Sequence, residues 1–358
     1  MDCQLLSCPH PLWEETLRQL RHDVYHCQSY VLREAQRTGT APHAFLLKQR
    51  DRLFFLPYLL RSCRGIPTKG FSAEEVYDAA SPYGYPGPLL SPAAHEDAAF
   101  QQLAIAELKR AFRQQGICSA FVRLHPILNE GAAGLASRPE SRLLGHTVSV
   151  DLKLTDAMIY THTRKGQKST INRCIRSGFA ARMVPVAPYL AEFMSVYRET
   201  MTRVGARESY RFSADNLRSL LDLSPLLHLC LVECQGEIAS ACLFFECGGI
   251  VQAHLGGTRT RFLGASPFSL LFDFGRHWAK MRGNEYFHLG GGLGGQDDDT
   301  LFAFKCGFSK RRHDFRVLHL ITHEENYSRL LLGVAKDRST NPDALIQGDF
   351  FPAYRFPE

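Results

Sequence analysis

The chain has 358 residues, a formal net charge of +6 and an isoelectric point near 8.7. With 45% hydrophobic, 22% charged and 11% aromatic residues it is neither disordered nor fibrous, and no apolar run approaches a membrane span. The length exceeds that of a usual single domain and predicts two domains with ordinary cores.

Met1–His10 carries no basic stretch ahead of an apolar one, which points to the cytoplasm. From Leu12 to Arg37, Leu17, Leu20, Val24 and Cys27 recur at helical spacing and predict a helical region. His43–Lys48 and Leu53–Cys63 predict strands joined as a hairpin by Gln49-Arg50-Asp51-Arg52. Ser81–Pro88, with three prolines and two glycines, must be loop. Ala99–Gln115 reads as an amphipathic helix, and Cys118–Leu124 as a buried strand that delivers Arg123 and His125 near its end.

Thr147–Leu152 alternates as a strand. Arg164–Arg176 then predicts a basic helix, with Lys165, Lys168 and Asn172 on one stripe, Arg173 and Arg176 beside it, and Ile171 and Ile175 on the buried side. Such a face suits the phosphates of a tRNA or a coenzyme, and equally suits solvent. Tyr189–Val204 reads as a helix, and three strands follow at Leu226–Glu233, Glu237–Glu246 and Gly249–Gly256. A helix from Pro267 to Met281 leads into a strand ending at His288, an order that predicts parallel neighbours. Ahead of that helix, Ser266 reads as an N-cap and Pro267 as a first-turn residue, while Arg261 opens a loop able to hold a pyrophosphate at the helix start. The stretch after Phe315 reads as a strand and a short helix, and the aromatic end Asp349–Glu358 is expected to dock on a surface or a partner chain.

The chemistry concentrates where Tyr286-Phe287-His288-Leu289 runs into Gly290-Gly291-Gly292 and then Phe304-Lys305-Cys306-Gly307-Phe308. Glycines after a strand let backbone approach a ligand, and a lysine between two aromatics is placed to lose water and hold developing negative charge. His254 and His288, on strands predicted to be neighbours, are candidate general bases. The 11 cysteines include no Cys-x-x-Cys pair and are read as reduced. Cys230, Cys234, Cys242 and Cys247 are read as small hydrophobes rather than zinc ligands, and no metal is expected.

Taken together, Asp78-Ala79-Ala80-Ser81-Pro82-Tyr83-Gly84-Tyr85-Pro86-Gly87-Pro88, the His288–Gly292 run and Phe304-Lys305 resemble the FemA/FemB/FemX aminoacyltransferases, from about Tyr77 to Val317. The resemblance implies an α/β (α+β) fold of two tandem GNAT-like domains, mixed sheets flanked by helices: 1–146 completed by 316–358, and 147–315 carrying the donor site. It implies transfer of an aminoacyl group from aminoacyl-tRNA to an amine of a cell-wall precursor, amino sugar or small metabolite, with amide bond formation. An acyl-CoA-dependent GNAT N-acyltransferase is the alternative, and a non-catalytic RNA- or nucleotide-binding module the second. In that frame Lys305 stabilises the oxyanion, Phe304 packs on the donor end, and Arg261 joins the basic helix in phosphate contacts. Tyr83, Tyr85, Arg123, Arg207, Tyr210, Gly290 and Gly291 are the substrate-binding candidates, with the acceptor expected between the domains. No permanently bound cofactor is implied, only aminoacyl-tRNA or acyl-CoA as co-substrate, and the protein is expected as a monomer or homodimer. The inserted helical hairpin of the longer peptidoglycan-bridge enzymes does not fit within 358 residues, which points to a smaller acceptor.

Overall fold

The structure is a computed structural model that describes residues 1–67, 75–293, 299–348 and 350–356. Its strands are β1 (Asp2–Ser7), β2 (Ala41–Gln49), β3 (Arg52–Ser62), β4 (Tyr77–Ala80), β5 (Leu89–Leu90), β6 (Ile117–Arg123), β7 (Ser141–Asp151), β8 (Ala180–Val184), β9 (Leu227–Cys234), β10 (Glu237–Cys247), β11 (Ile250–Thr258), β12 (Tyr286–Gly290) and β13 (Arg312–Ile321). The chain divides into two compact units, Met1–Leu144 with Asp314–Glu358, and Gly145–His313.

In the first unit the sheet order is β1-β2-β3-β4-β6-β13, with β5 on β3. Neighbours are antiparallel except β4 and β6. The β2–β3 hairpin closes through Gln49 opposite Arg52, with Arg50 at φ 58°. On one face the Ala98–Gln114 helix, capped where the Asp97 carboxylate accepts from Phe100 N at 2.9 Å, buries Ile105, Leu108 and Phe112 with Phe45 and Phe54. The helical region predicted from Leu12 to Arg37 is made of separate pieces. Helices span Pro11–Gln19 and Gln28–Thr38, separated by a single 3-10 turn at Val24–His26. The cap lies inside the segment: Asp23 Oδ1 accepts from Val24 N, and His26 Nδ1 accepts from Asp23 N, which starts a new turn there, while His10 Nδ1 caps the start of the first helix by accepting from Leu12 N. The C-terminal segment packs Tyr327, Leu330 and Val334 with Cys63, Cys118 and Tyr354. Of the predicted docking end, residues 349 and 357–358 lie outside the described residues, and Ala353 and Tyr354 are buried.

The second unit is ordered β7-β12-β11-β10-β9-β8, again with a single parallel pair among its described neighbours, β11 and β12. The Lys165–Arg176 and Phe268–Met281 helices cover one face, burying Val148, Val150, Phe244, Leu271, Phe287 and Leu289. The buried stripe of the basic helix is Ile171 and Cys174. Ile175, predicted to be buried, is 55% exposed, because the helix turns Cys174 inward, where its thiol donates to Ala265 O at 3.1 Å. Nor does Ser266 cap the following helix. It sits at φ 54° and its hydroxyl donates to Leu263 O, leaving that helix start with no side-chain cap. Pairing of β11 with β12 stops at Gln252 opposite His288, yet β11 continues to Thr258. The two strands therefore part at their carboxyl ends.

Candidate active site

Where β12 ends, Gly290 takes φ 76°, a backbone region that a Cβ disfavours. Gly291 lies against His146 O, which a Cβ would approach to 3.0 Å, and a Cβ on Gly292 would overlap the Asp299 carboxylate. Asp299 explains that crowding. One of its oxygens accepts from Leu293 N, and the other caps the Thr300–Cys306 helix by accepting from Phe302 N at 2.9 Å. The glycine run and the lysine-bearing helix are thus fastened at two points, because Lys305 Nζ donates to Gly291 O at 2.5 Å. A third tie comes from the basic helix. Gln167 donates from Nε2 to Phe304 O at 3.2 Å and accepts at Oε1 from Ser269 Oγ at 3.1 Å, and Arg164 N donates to Gly307 O at 2.8 Å.

Lys305 is half-buried, with Phe304 before it in a ring cluster with Phe268, Phe272 and Phe308. Burial lowers its pKa to about 8, against the pull of the Cys242 thiol and the Asp299 carboxylate, which raise it. An ammonium poised near neutrality beside an exposed turn of backbone is what binding a developing oxyanion requires.

The two candidate bases differ. His288 is buried, and its Nδ1 donates to Gln252 Oε1 at 2.5 Å, directly across the last paired rung, which leaves Nε2 as the acceptor nitrogen of the ring. Its ring stands 6.4 Å from His313, whose Nε2 is 2.7 Å from Ser149 Oγ. His254 is half-buried, 4.5 Å from the Phe245 ring, at the irregularity where β11 carries one residue more than β10.

The remaining candidates separate by environment. On the basic helix Lys165, Arg173 and Arg176 are exposed, and Lys168 Nζ lies 4.1 Å over the Tyr160 ring. Arg261 pairs with Glu237 and lies over the Phe262 ring, so its guanidinium is already engaged. Arg207 is exposed, while Tyr210 contributes its carbonyl to Tyr197 Oη at 2.7 Å. In the first unit Arg123 donates to Ser81 O and Pro82 O, and so braces the loop that holds Tyr83 and Tyr85. Tyr30 Oη donates to Tyr83 O at 3.0 Å, and the Tyr85 ring packs edge-on to Tyr25 and Phe315.

Beneath that loop lies a network that sequence reasoning missed. Buried Asp23 accepts from His125 Nε2 at 3.1 Å, and His125 Nδ1 accepts from Ile127 N and Leu128 N. His26 Nε2 donates to Gly87 O at 2.9 Å, while Asn129 accepts from His125 N and donates to Pro88 O. A buried Asp-His pair suggests a catalytic dyad. Here backbone N–H groups occupy the far nitrogen of His125, so the pair is a brace. Burial drives the His26 pKa down to about 3 and keeps that ring neutral.

Residues 161–305 match the acetyltransferase (GNAT) domain family Acetyltransf_6. FemX superposes with a TM-score of 0.69 at 11% identity, covering 92% of this chain and 99% of its own. This is a FemX-like tandem GNAT fold. L-PGS from Bacillus licheniformis shares it at a TM-score of 0.54 and 15% identity, over 94% of this chain and 98% of its own. The C-terminal domain of a putative lysylphosphatidylglycerol synthetase from Agrobacterium fabrum follows at 0.51 and 16%, over 85% and 90%. No curated protein matches the sequence significantly. These likenesses support an acyltransferase of GNAT type. Among the described residues no helix is long and apolar enough to cross a membrane. In the GNAT unit the parted ends of β11 and β12, Lys305 and the glycine turn lie within or directly beside the matched span.

Proposed function

We propose that the Gly145–His313 unit transfers an aminoacyl group from aminoacyl-tRNA to an acceptor amine, forming an amide. The observation that carries this reading is Lys305, its pKa lowered to about 8 and its ammonium held on Gly291 O at the open end of the parallel pair. With that pKa the side chain is protonated in about nine molecules of ten at pH 7. In this reading the acceptor nitrogen bonds to the ester carbonyl carbon, and Lys305 receives the resulting oxyanion. Collapse then breaks the bond to the ribose oxygen, which takes up the proton that the amine gave away. His254, half-buried at the bulge, carries that proton, and buried His288 with Gln252 holds the strand ends in register. Phe304 packs on the donor's terminal adenosine, and Lys165, Lys168, Arg173 and Arg176 meet the phosphates behind it. The name of one structural relative, a putative lysylphosphatidylglycerol synthetase, contains an aminoacylated product, which fits an aminoacyl group as the one transferred. The acceptor in this reading is a small amine, an amino sugar or a cell-wall precursor.

A second reading, acyl-CoA as donor, is favoured by the start of the Phe268–Met281 helix, which has no side-chain cap, a place where a pyrophosphate would meet the positive end of the helix dipole. Purified protein is incubated with labelled aminoacyl-tRNAs or with acyl-CoAs and a pool of amines. RNase-sensitive amide formation is the expected result, RNase-resistant transfer from a thioester establishes the second reading, and no transfer from either overturns both.

A further inference from the structure

Two surface cavities contain arginines, and they differ in charge balance. The one beside the start of β10, about 920 Å³, holds Arg182, Arg259 and Arg261, each already paired, with Glu233, Glu199 and Glu237 respectively. The other, about 450 Å³, lies wholly in the first unit and is lined by Arg61, Arg338 and Arg355, with Ile66, Val334 and Phe350 among its apolar walls. Behind it sits Asp78, fully buried, accepting from Arg61 Nε and Arg355 Nε at 2.5 Å each and from Tyr354 Oη at 3.0 Å. A single carboxylate therefore serves two guanidiniums. Arg338 adds a third positive charge and Asp337, also on the wall, a second negative one, so three cations face two anions. Arg61 Nη2 is moreover buried, with no hydrogen-bond partner among the described residues. Nη2 itself is enclosed, but the Arg61 side chain is 27% exposed at the cavity wall, so the positive charge that Asp78 shares between two guanidiniums is open there to an anion from outside.

We infer that this cavity binds a small organic anion: a phosphate or carboxylate group, held by Arg61 and Arg338, on an aromatic or otherwise apolar body resting against Ile66, Val334 and Phe350. The volume suits a ligand of that size, and the planar fork of arginine suits both headgroups. The site is separate from the Lys305 centre and does not depend on the transfer reaction.

The test is calorimetric titration of the full-length protein with phenyl phosphate, benzoate, inorganic phosphate and benzyl alcohol. Phenyl phosphate or benzoate binds, the stronger of the two identifying the headgroup, and both exceed inorganic phosphate and the neutral alcohol. Arg338→Ala, which leaves the Asp78 contacts in place, weakens binding at least tenfold, and Arg61→Lys, which keeps the charge but not the fork, weakens it too. The inference is overturned if neither aromatic anion binds at millimolar concentration, if benzyl alcohol binds as well as they do, or if Arg338→Ala binds them with unchanged affinity. Thermal denaturation of each variant confirms that it is folded.

Discussion

Among the described residues each unit shows one parallel pair, and the carboxyl ends of those pairs are treated in opposite ways. After β4 and β6 the chain stays fastened: Ser81 N donates to Phe121 O, and Arg123 N to Ser81 Oγ, both at 2.9 Å. The proline-rich loop then closes over neutral His26, over His125 and over Asn129, with Gly84 against the Tyr25 ring and Gly87 against His125 N. After β11 and β12 the strands part, and the glycine turn sits beside a lysine whose ammonium is partly stripped of water. Glycines serve both ends, but for different purposes. In the first they make room for side chains that lock the loop, and in the second they present backbone next to a charge. A motif rich in glycine and aromatics is thus no sign of chemistry by itself. What separates the two ends is that the buried polar groups of the first satisfy one another in a neutral network, whereas the second keeps a cation whose pKa burial lowers to about 8.

The sharpest way to break this contrast is Lys305→Met. Transfer should fall by about 100- to 1000-fold, as on losing one oxyanion-hole donor, read as kcat/KM. A loss of tenfold or less removes the lysine from the reaction. The same substitution should stabilise the protein at pH 7 by about 2 kcal/mol, since a desolvated ammonium is removed. The sign follows from the pKa. Lowered from 10.5 to about 8, the folded lysine binds fewer protons than the unfolded one between those values, so its destabilising effect is complete below pH 8 and fades as pH rises toward 10.5. Urea denaturation of the variant and the parent should therefore converge at high pH.

Gly87→Ala tests the other end. A Cβ there would overlap Asn129 Oδ1 and His125 N, the latter a backbone atom with little freedom to move, so a loss of about 3 kcal/mol in urea denaturation is expected. An alanine tolerated within 0.5 kcal/mol would mean the brace is loose. Acid probes the same network more gently. Because the folded His26 pKa is depressed from 6.5 to about 3, the stability this ring contributes is complete above pH 6.5 and is lost as pH falls below it. By pH 5 the loss should reach about 2 kcal/mol, and His26→Gln, which cannot titrate, should show a flatter pH dependence.

How much of this was legible in the sequence depends on the distance along the chain between partners. The β9–β10–β11 meander and the parallel strand after it follow from local periodicity and from turns such as Gln235-Gly236, and they appear where periodicity puts them. The glycine run and Phe304-Lys305 could be read as a motif. Even the Asp299 cap carried a local signal, an acidic residue three positions before Phe302. What ties Lys305 into place did not, because Gln167 and Phe304 are 137 residues apart. Asp23 and His125 are separated by 102, and nothing local announces their pairing. Two local readings missed: the stripe put Ile175 rather than Cys174 at the buried face, and residue type suggested a hydroxyl cap at Ser266, where a left-handed backbone turns the side chain back on its own loop. β1 and β8 escaped notice because each is short, and its alternation is weak without the neighbour that completes it.

The smallest expected effect is the most discriminating between donors. Arg261 is exposed and paired with Glu237, and exposed ion pairs contribute less than about 1 kcal/mol, so Arg261→Ala should leave stability almost unchanged. If aminoacyl-tRNA is the donor, its phosphates lie along the Lys165–Arg176 helix, and the variant should transfer with a KM within about twofold of the parent. An acyl-CoA pyrophosphate at the uncapped start of the Phe268–Met281 helix would instead pull Arg261 off Glu237. The variant would then show a KM for the donor raised several-fold, with kcat little changed, and that increase would shrink as salt screens the contact. Glu237→Gln sharpens the distinction. Freeing the guanidinium should lower the KM for a coenzyme donor and do nothing for a tRNA, so the two variants moving in opposite directions would assign the loop to pyrophosphate.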